Sequence, residues 1–234
     1  MIPDLSPVFA LDTSQPLRSG ASLTKQVTDL IRRMIIEGEL PLGSAISEMA
    51  LADKFGISKS PVRSALKELA QEGLVSIYPQ RGTYVFAPSR EEWLHLCEFR
   101  RHLELYCFET AVMRSHDRLV DELKRIARNM RKSYEAQDAK KYIDEDVSFH
   151  ISIVENSRNA FFSKAYGLIV AKVATILLYL GANWEQIDQS YAEHLEIADL
   201  LESGEDTRAF ELFRKHMTHA RDVYGLDSSS ITAV

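Results

Sequence analysis

Four side chains in the second half of the chain could together hold a metal ion. Asp146 and His150 stand four residues apart, so on a helix both point to the same side. His194 lies among apolar neighbours in EHLEIADLLESG, and His216 lies mid-helix in RKHMTHAR. One carboxylate and three imidazoles suit a divalent transition metal such as zinc, nickel, manganese or iron. The spacing alone does not require that. Asp-x-x-x-His is a short pattern, and an isolated histidine is more often hydrogen-bonded or exposed than a ligand. His102 and His219 fit neither motif and read as surface or supporting residues.

A second group could bind phosphate and base edges. Lys59, Arg63 and Lys67, at i, i+4 and i+8, form a basic ridge on one helix face. Ser58 precedes them as an N-cap, its hydroxyl expected to accept from free amides of the next turn, and Pro61 fits that first turn. Ser60 lies beside the cap. Such a helix fits the major groove of double-stranded DNA: its N-terminal amides and hydroxyls take a phosphate, while Lys and Arg reach phosphates or guanine. Arg81-Gly82 at a hairpin tip suits the neighbouring minor groove. The plainer alternative is a solvated basic face on an ordinary helix pair.

The elements that must position these groups follow from periodicity. Ser22–Glu37 places Leu23, Val27, Leu30, Ile31, Met34 and Ile35 on one side of a helix, ended by Pro41-Leu42-Gly43. Glu48–Phe55 is a second helix, stopped by Gly56, a residue suited to the left-handed end conformation. A third helix carries the ridge and buries Val62, Ala65, Leu66, Leu69 and Ala70, and Gly73 closes it. Val75–Ile77 and Thr83–Phe86 read as strands around Pro79-Gln80-Arg81-Gly82, and Ala45-Ile46 adds a short edge strand.

Ala87-Pro88-Ser89 reads as a linker, with Ser89 capping the helix that follows. Beyond it come six helices and no strand signal: 90–115, 117–136, 138–155, 159–181, 184–203 and 205–224. Short links make them an antiparallel bundle. The expected fold class is mainly α: an N-terminal winged helix-turn-helix with a small β-hairpin, followed by an all-α helical bundle. The expected division is a loose arm over 1–20, the winged unit over 21–88, the bundle over 89–226 and a polar tail over 227–234.

Composition narrows the partners. An apolar fraction of 45% and a charged fraction of 26% are those of an ordinary globular protein. The net charge of −6 argues against indiscriminate nucleic-acid binding, but it hides an asymmetry. The front of the chain carries more base than acid, and the bundle carries the acid. Cys97 and Cys107 lie on one expected helix, about 15 Å apart by helical rise, too far to pair. A reducing, cytoplasmic setting is the expectation. Residues 165–182 are the one membrane suspect, and Lys172 in their middle favours a buried bundle helix.

The stretch Glu48–Phe86, with the helix before it, resembles the winged helix-turn-helix of GntR-type bacterial transcription regulators. The resemblance rests on Pro41-Leu42-Gly43, Leu51-Ala52, Phe55-Gly56-Ile57-Ser58, Pro61-Val62-Arg63, Ala65-Leu66, Leu69, Glu72-Gly73-Leu74 and Arg81-Gly82. Lys59 stands where the family usually has Arg, which keeps the charge and loses the bidentate fork. Met49 stands where some members carry a DNA-contacting Arg.

The bundle in turn resembles the FCD ligand-sensing domain of the FadR subgroup. Asp146-Val-Ser-Phe-His150, Glu193-His194-Leu-Glu-Ile197-Ala198 and Arg214-Lys-His216 match its metal motifs, and Arg100-Arg101-His102-Leu103-Glu104 matches its opening pattern. This resemblance implies one metal on Asp146, His150, His194 and His216, zinc foremost. It implies that Arg100 grips a small organic acid effector. The function it implies is a repressor that binds operator DNA as a homodimer, with no membrane role. The rivals are a metal-dependent hydrolase, for which no base or nucleophile motif is visible, a structural ion, and a regulator answering to the metal itself.

Overall fold

The computed structural model describes residues 22–179 and 184–223. The expected arm over 1–20, the tail over 227–234, the link at Ala182-Asn183 and the side chain of His219 lie outside the described residues.

Helix α1 (Leu23–Ile36) buries Val27, Ile31, Met34 and Ile35 at helical spacing. Strand β1 (Ala45–Ile46) leads into α2 (Glu48–Phe55), capped by the Ser47 hydroxyl and ended by Gly56 at φ +66°. The turn runs into α3 (Lys59–Gln71), which buries Val62, Ala65, Leu66 and Leu69 against α1. Two polar ties cross that interface: Thr28 donates to Glu68 at 2.8 Å, and Arg32 forks onto Glu72 at 2.7 and 3.0 Å. Strands β2 (Val75–Tyr78) and β3 (Gly82–Val85) form the hairpin, with Val75 opposite Val85 and Tyr78 opposite Gly82. β1 adds to the other edge of β3, giving an antiparallel sheet in the order β1-β3-β2. This is the winged helix-turn-helix expected.

The rest is helical. α4 (Arg90–Glu135) opens with a capping box between Ser89 and Glu92. The expected break at His116 is a kink rather than an end. Ser115 leaves helical geometry at φ −150°, its hydroxyl accepting from Arg158 Nε at 2.6 Å, and the helix resumes. α5 (Ala139–Asn156) returns antiparallel along it after Gln137 at φ +51°. The single helix expected over 159–181 divides into α6 (Ala160–Gly167) and α7 (Val170–Tyr179), bent by 40°. The amides of Leu168 and Ile169 reach back only three residues, to Ala165 and Tyr166, tightening the chain where Gly167 supports a helix poorly. α8 (Trp184–Glu202) and α9 (Asp206–Val223) complete the bundle, with Gly204 turning between them at φ +75°.

α7 is almost wholly buried, and no single helix among the described residues is long and apolar enough to cross a membrane. It packs on α1 and so joins the two halves. Trp93 and Ile176 make a small apolar cluster with Phe86, and Lys140 meets Glu37 at 2.8 Å.

Candidate metal centre and nucleic-acid interface

Three helices each deliver one histidine to the middle of the bundle: His150 from α5, His194 from α8 and His216 from α9. All three are buried, and one nitrogen from each lies within 4.8 Å of the others. His194 Nε2 and His216 Nε2 each stand 3.4 Å from His150 Nε2. Apolar rings wall the group: Phe149 lies 4.5 Å from His194, and Phe213 lies 5.8 Å from His150, centroid to centroid.

The opposite ring nitrogens are all turned to acids. His150 Nδ1 meets Glu104 Oε2 at 2.5 Å, and His216 Nδ1 meets Glu193 Oε2 at 2.9 Å. His194 Nδ1 reaches the Ser190 hydroxyl at 3.3 Å, which donates in turn to Asp146 Oδ1 at 3.2 Å. When each Nδ1–H donates to these partners, each Nε2 presents a lone pair to the same small space. Two such pairs at 3.4 Å repel rather than bond, and a cation between them removes the repulsion. Imidazole nitrogens bound to zinc at ~2.0–2.1 Å in a tetrahedron lie about 3.3 Å apart, so the donor set fits such an ion. An acid behind each ligating histidine is the support that metal-bound imidazoles use.

The electrostatics favour the neutral, ligand form of His194 and His150. Burial pushes His194 well below the usual histidine range, and the neighbouring His216, His150 and Arg100 add to that. His150 is also lowered by burial, with Glu104 opposing. Burial alone would raise Glu104, but Arg100 and then His150 hold its carboxyl down to about 2. Arg100 Nε donates to Glu104 Oε1 at 2.6 Å, so one buried carboxylate bridges the arginine and the histidine. Tyr166, also fully buried, is kept neutral by burial and by Glu104.

The structure thus brings together His150, His194 and His216, with Arg100 linked to them through Glu104. Asp146 is not in direct contact with the Nε2 group: it stands behind His194, 3.7 Å from Nδ1 and joined through Ser190. Glu104, Glu193, Ser190 and Tyr166 were given no role by the sequence reading. A signal existed for two of them: Glu104 is four residues after Arg100 on one helix, and Glu193 adjoins His194.

The basic face is assembled differently. Ser58, Lys59, Ser60, Arg63 and Lys67 on α3, and Arg81 and Gly82 at the hairpin tip, are all exposed. Ser58 occupies the N-cap position, but its hydroxyl makes no cap bond, contrary to expectation. Its backbone, at φ −73° and ψ 162°, is close to that of Ser89, which does cap, so the difference lies in the side chain and not in the chain path. Arg63 forks onto Glu48 of α2 at 2.8 and 3.1 Å, and Met49 beside it is exposed. The Tyr84 hydroxyl donates to the Arg81 carbonyl at 3.0 Å and braces the tip. A cleft of about 810 Å³ between hairpin and bundle, lined by Tyr84, Phe86, His95, Phe99 and Lys172 among others, contains none of the three histidines.

Comparison with known proteins agrees with both halves. Residues 23–85 match the model of bacterial regulatory proteins of the gntR family, and residues 95–219 match the FCD domain. The chain is 28% identical over 209 residues to the "Probable D-xylose utilization operon transcriptional repressor" of Paenarthrobacter nicotinovorans, covering 89% of this chain and 90% of that one. It is 28% identical over 200 residues to the gluconate operon transcriptional repressor of Bacillus licheniformis, covering 85% and 82%. The solved structure of E. coli McbR/YncC superposes with a TM-score of 0.76 at 20% identity, over 87% of this chain and 97% of that one. These relatives are transcriptional regulators, not enzymes.

Proposed function

The chain belongs to the GntR family of bacterial transcriptional regulators and carries the FCD domain, and on that premise we propose a metal-anchored sensor of small organic acids acting as a repressor. The observation that carries this reading is the convergence of three buried Nε2 atoms whose Nδ1 atoms are all braced towards acids. His150, His194 and His216 hold the ion, and Asp146 supports or joins them. A bound divalent ion supplies positive charge and open coordination positions for a carboxylate. Arg100 adds a buried cation beside the site. Its guanidinium is held by Glu104 and also pairs with the Tyr166 hydroxyl, so an anion in a charge-assisted pair would draw on donors beyond these two contacts.

Operator DNA is read by Ser58, Lys59, Ser60, Arg63, Lys67 and the Arg81-Gly82 tip. The protein acts as a cytoplasmic homodimer of the FadR type, because two recognition helices one DNA turn apart read a palindrome. The division near residue 88, with the winged unit over 21–88 and the bundle over 89–226, separates reading from sensing. The effector regulates only if it binds one arrangement of the heads better than the other.

The test is thermal unfolding of metal-stripped and of zinc- or nickel-loaded protein against a panel of small carboxylates. An acid should raise the Tm only when metal is present, and this should be lost in His150→Ala and in Arg100→Ala. Stabilisation by acid in metal-free protein would overturn the anchored site. Stabilisation by metal with no acid adding to it would leave a structural ion or a metal-responsive regulator.

A further inference from the structure

The cleft of about 810 Å³ between hairpin and bundle is walled by both halves of the molecule. Tyr84 and Phe86 line it from the head, and Leu96 of α4 and Ile176 of α7 line it from the bundle. Its size lies in the ~300–1,000 Å³ range of small-molecule sites, which favour the junctions between domains. Lys172 of α7 brings a positive charge to the bundle wall. Gly73 makes room for it: a Cβ there would stand 2.6 Å from Lys172 Nζ. Burial holds the Lys172 ammonium below its ordinary range, and Glu72 and then Glu92 oppose that. Both acids bond elsewhere. Glu72 is forked onto Arg32, and Glu92 accepts from the Ser89 amide at 2.7 Å. Lys172 is therefore a half-buried cation whose acidic neighbours are committed to other partners.

We propose that this cleft binds a small aromatic carboxylate, separately from the metal centre. The carboxylate pairs with Lys172, and exposed Arg81 and His95, which also line the cleft, add donors. An anion there offsets the water lost around the ammonium, and their attraction is screened less than on the open surface. Glu72 and Glu92 already act on Lys172, so the local field suits one negative charge better than the two of a phosphate. A flat apolar body suits the remaining walls. The rings of Tyr78 and Tyr84 stand edge to face, 5.9 Å apart, and Phe86 packs on the Trp93–Ile176 cluster. Such rings favour edge and offset contacts with another ring. Position links the site to the head. Arg81 belongs both to the cleft and to the hairpin tip, and residues of both halves complete the walls. An occupant therefore favours one placement of head against bundle. The consequence for operator DNA rests on the reading of the preceding section, and the binding itself does not.

Isothermal titration calorimetry of the metal-stripped full chain with naphthoate tests this, with benzoate, neutral naphthamide and inorganic phosphate as comparisons. One naphthoate should bind per chain. Lys172→Met keeps the stem and removes the charge, and it should weaken binding at least about tenfold, as should the uncharged naphthamide. His95→Glu, which puts a negative charge at the exposed rim, should weaken binding by a smaller factor. Far-UV circular dichroism and cooperative thermal unfolding check that both variants are folded. Folded variants that both bind naphthoate as the wild type does overturn the proposal. Phosphate or naphthamide binding as tightly as naphthoate overturns it too, as does a failure of both carboxylates to bind. Naphthoate binding only to zinc-loaded protein, and equally in Lys172→Met, overturns the cleft while leaving the metal-anchored sensor standing. Acid binding to metal-free protein that Lys172→Met abolishes belongs to the cleft, so this variant is also the background in which the thermal test of the metal site is free of it.

Discussion

The two candidate sites are built on opposite rules. On the head, the chemistry-bearing side chains are exposed, come from one helix and one turn, and have few partners of their own. In the bundle, the three histidines, Arg100 and Glu104 are buried, each histidine comes from a different helix, and each is braced from behind. The difference reflects what each surface meets. Phosphates arrive with their own charge and displace water and counterions, so the protein need only place cations and donors outward. A buried ion-binding group must be neutral, oriented and desolvated beforehand, because an unpaired polar group costs much more in the interior than at the surface.

The contrast is best broken at Glu104. Glu104→Gln keeps the shape but removes the charge that holds Arg100 and orients His150. Losing one partner of a buried pair costs about 3–5 kcal/mol, which in a chain of this size lowers the Tm by roughly 10 °C. Zinc affinity should fall about 10–100-fold with it. A melting temperature within a degree or two of wild type would mean that the bridge is not what organises the site.

The same kind of change on the head should give the reverse pattern. Arg63→Ala should leave the Tm nearly unchanged, since its pair with Glu48 is exposed and such pairs contribute little. Operator affinity should nevertheless drop by about 1–3 kcal/mol if Arg63 reads a base. Lys59→Ala should weaken all sequences alike and reduce the salt slope by about one. Fluorescence anisotropy at several salt concentrations separates the two. Unchanged affinity and salt dependence in Arg63→Ala would remove α3 as the recognition helix.

That contrast also explains what could be read before the structure was seen. The head was legible almost residue by residue, because its signals are local: Gly56 at a helix end, Gly73 before a strand, Pro79-Gln80-Arg81-Gly82 between strands. The hydroxyl of Ser58 was the exception, because a cap position does not dictate where its side chain turns. In the bundle, the histidines could be listed but not joined by spacing alone, since α5, α8 and α9 are far apart in sequence. Their braces were harder still. Nothing local says that Glu104 meets His150, or that Ser190 stands between His194 and Asp146. The bend at Gly167–Leu168 was missed because the apolar pattern continues across it.

Where the two regions touch, the expected effects are smaller and more discriminating. Gly56 and Gly73 both adopt positive φ, +66° and +69°, so alanine at either should cost about 1 kcal/mol for backbone strain. They differ in surroundings. A Cβ on Gly56 meets nothing within 4 Å, whereas one on Gly73 would lie 2.6 Å from Lys172 Nζ on α7. Because the clash is with the far end of a flexible side chain, Gly73→Ala should cost only slightly more than Gly56→Ala, and Lys172→Ala should bring the two together. Equal losses in the presence of Lys172 would show that the lysine swings away freely, so that this contact does not tie the head to the bundle.

The smallest effect concerns Glu37, at the end of α1, and Lys140, at the start of α5. Burial alone would raise the Glu37 carboxyl, but Lys140 and Arg33 hold it below its ordinary range. A carboxylate lowered in the folded state stabilises the fold above its unfolded value of about 4.5, and that contribution is lost as the pH falls through the folded value. Lys140→Ala should accordingly cost up to about 1 kcal/mol at pH 7, with Lys140 itself half exposed, and the gap to wild type should narrow below pH 4.5. Urea unfolding of both proteins at pH 7 and pH 4 measures this. A gap that persists at the lower pH would mean that Lys140 acts through packing of its stem rather than through charge.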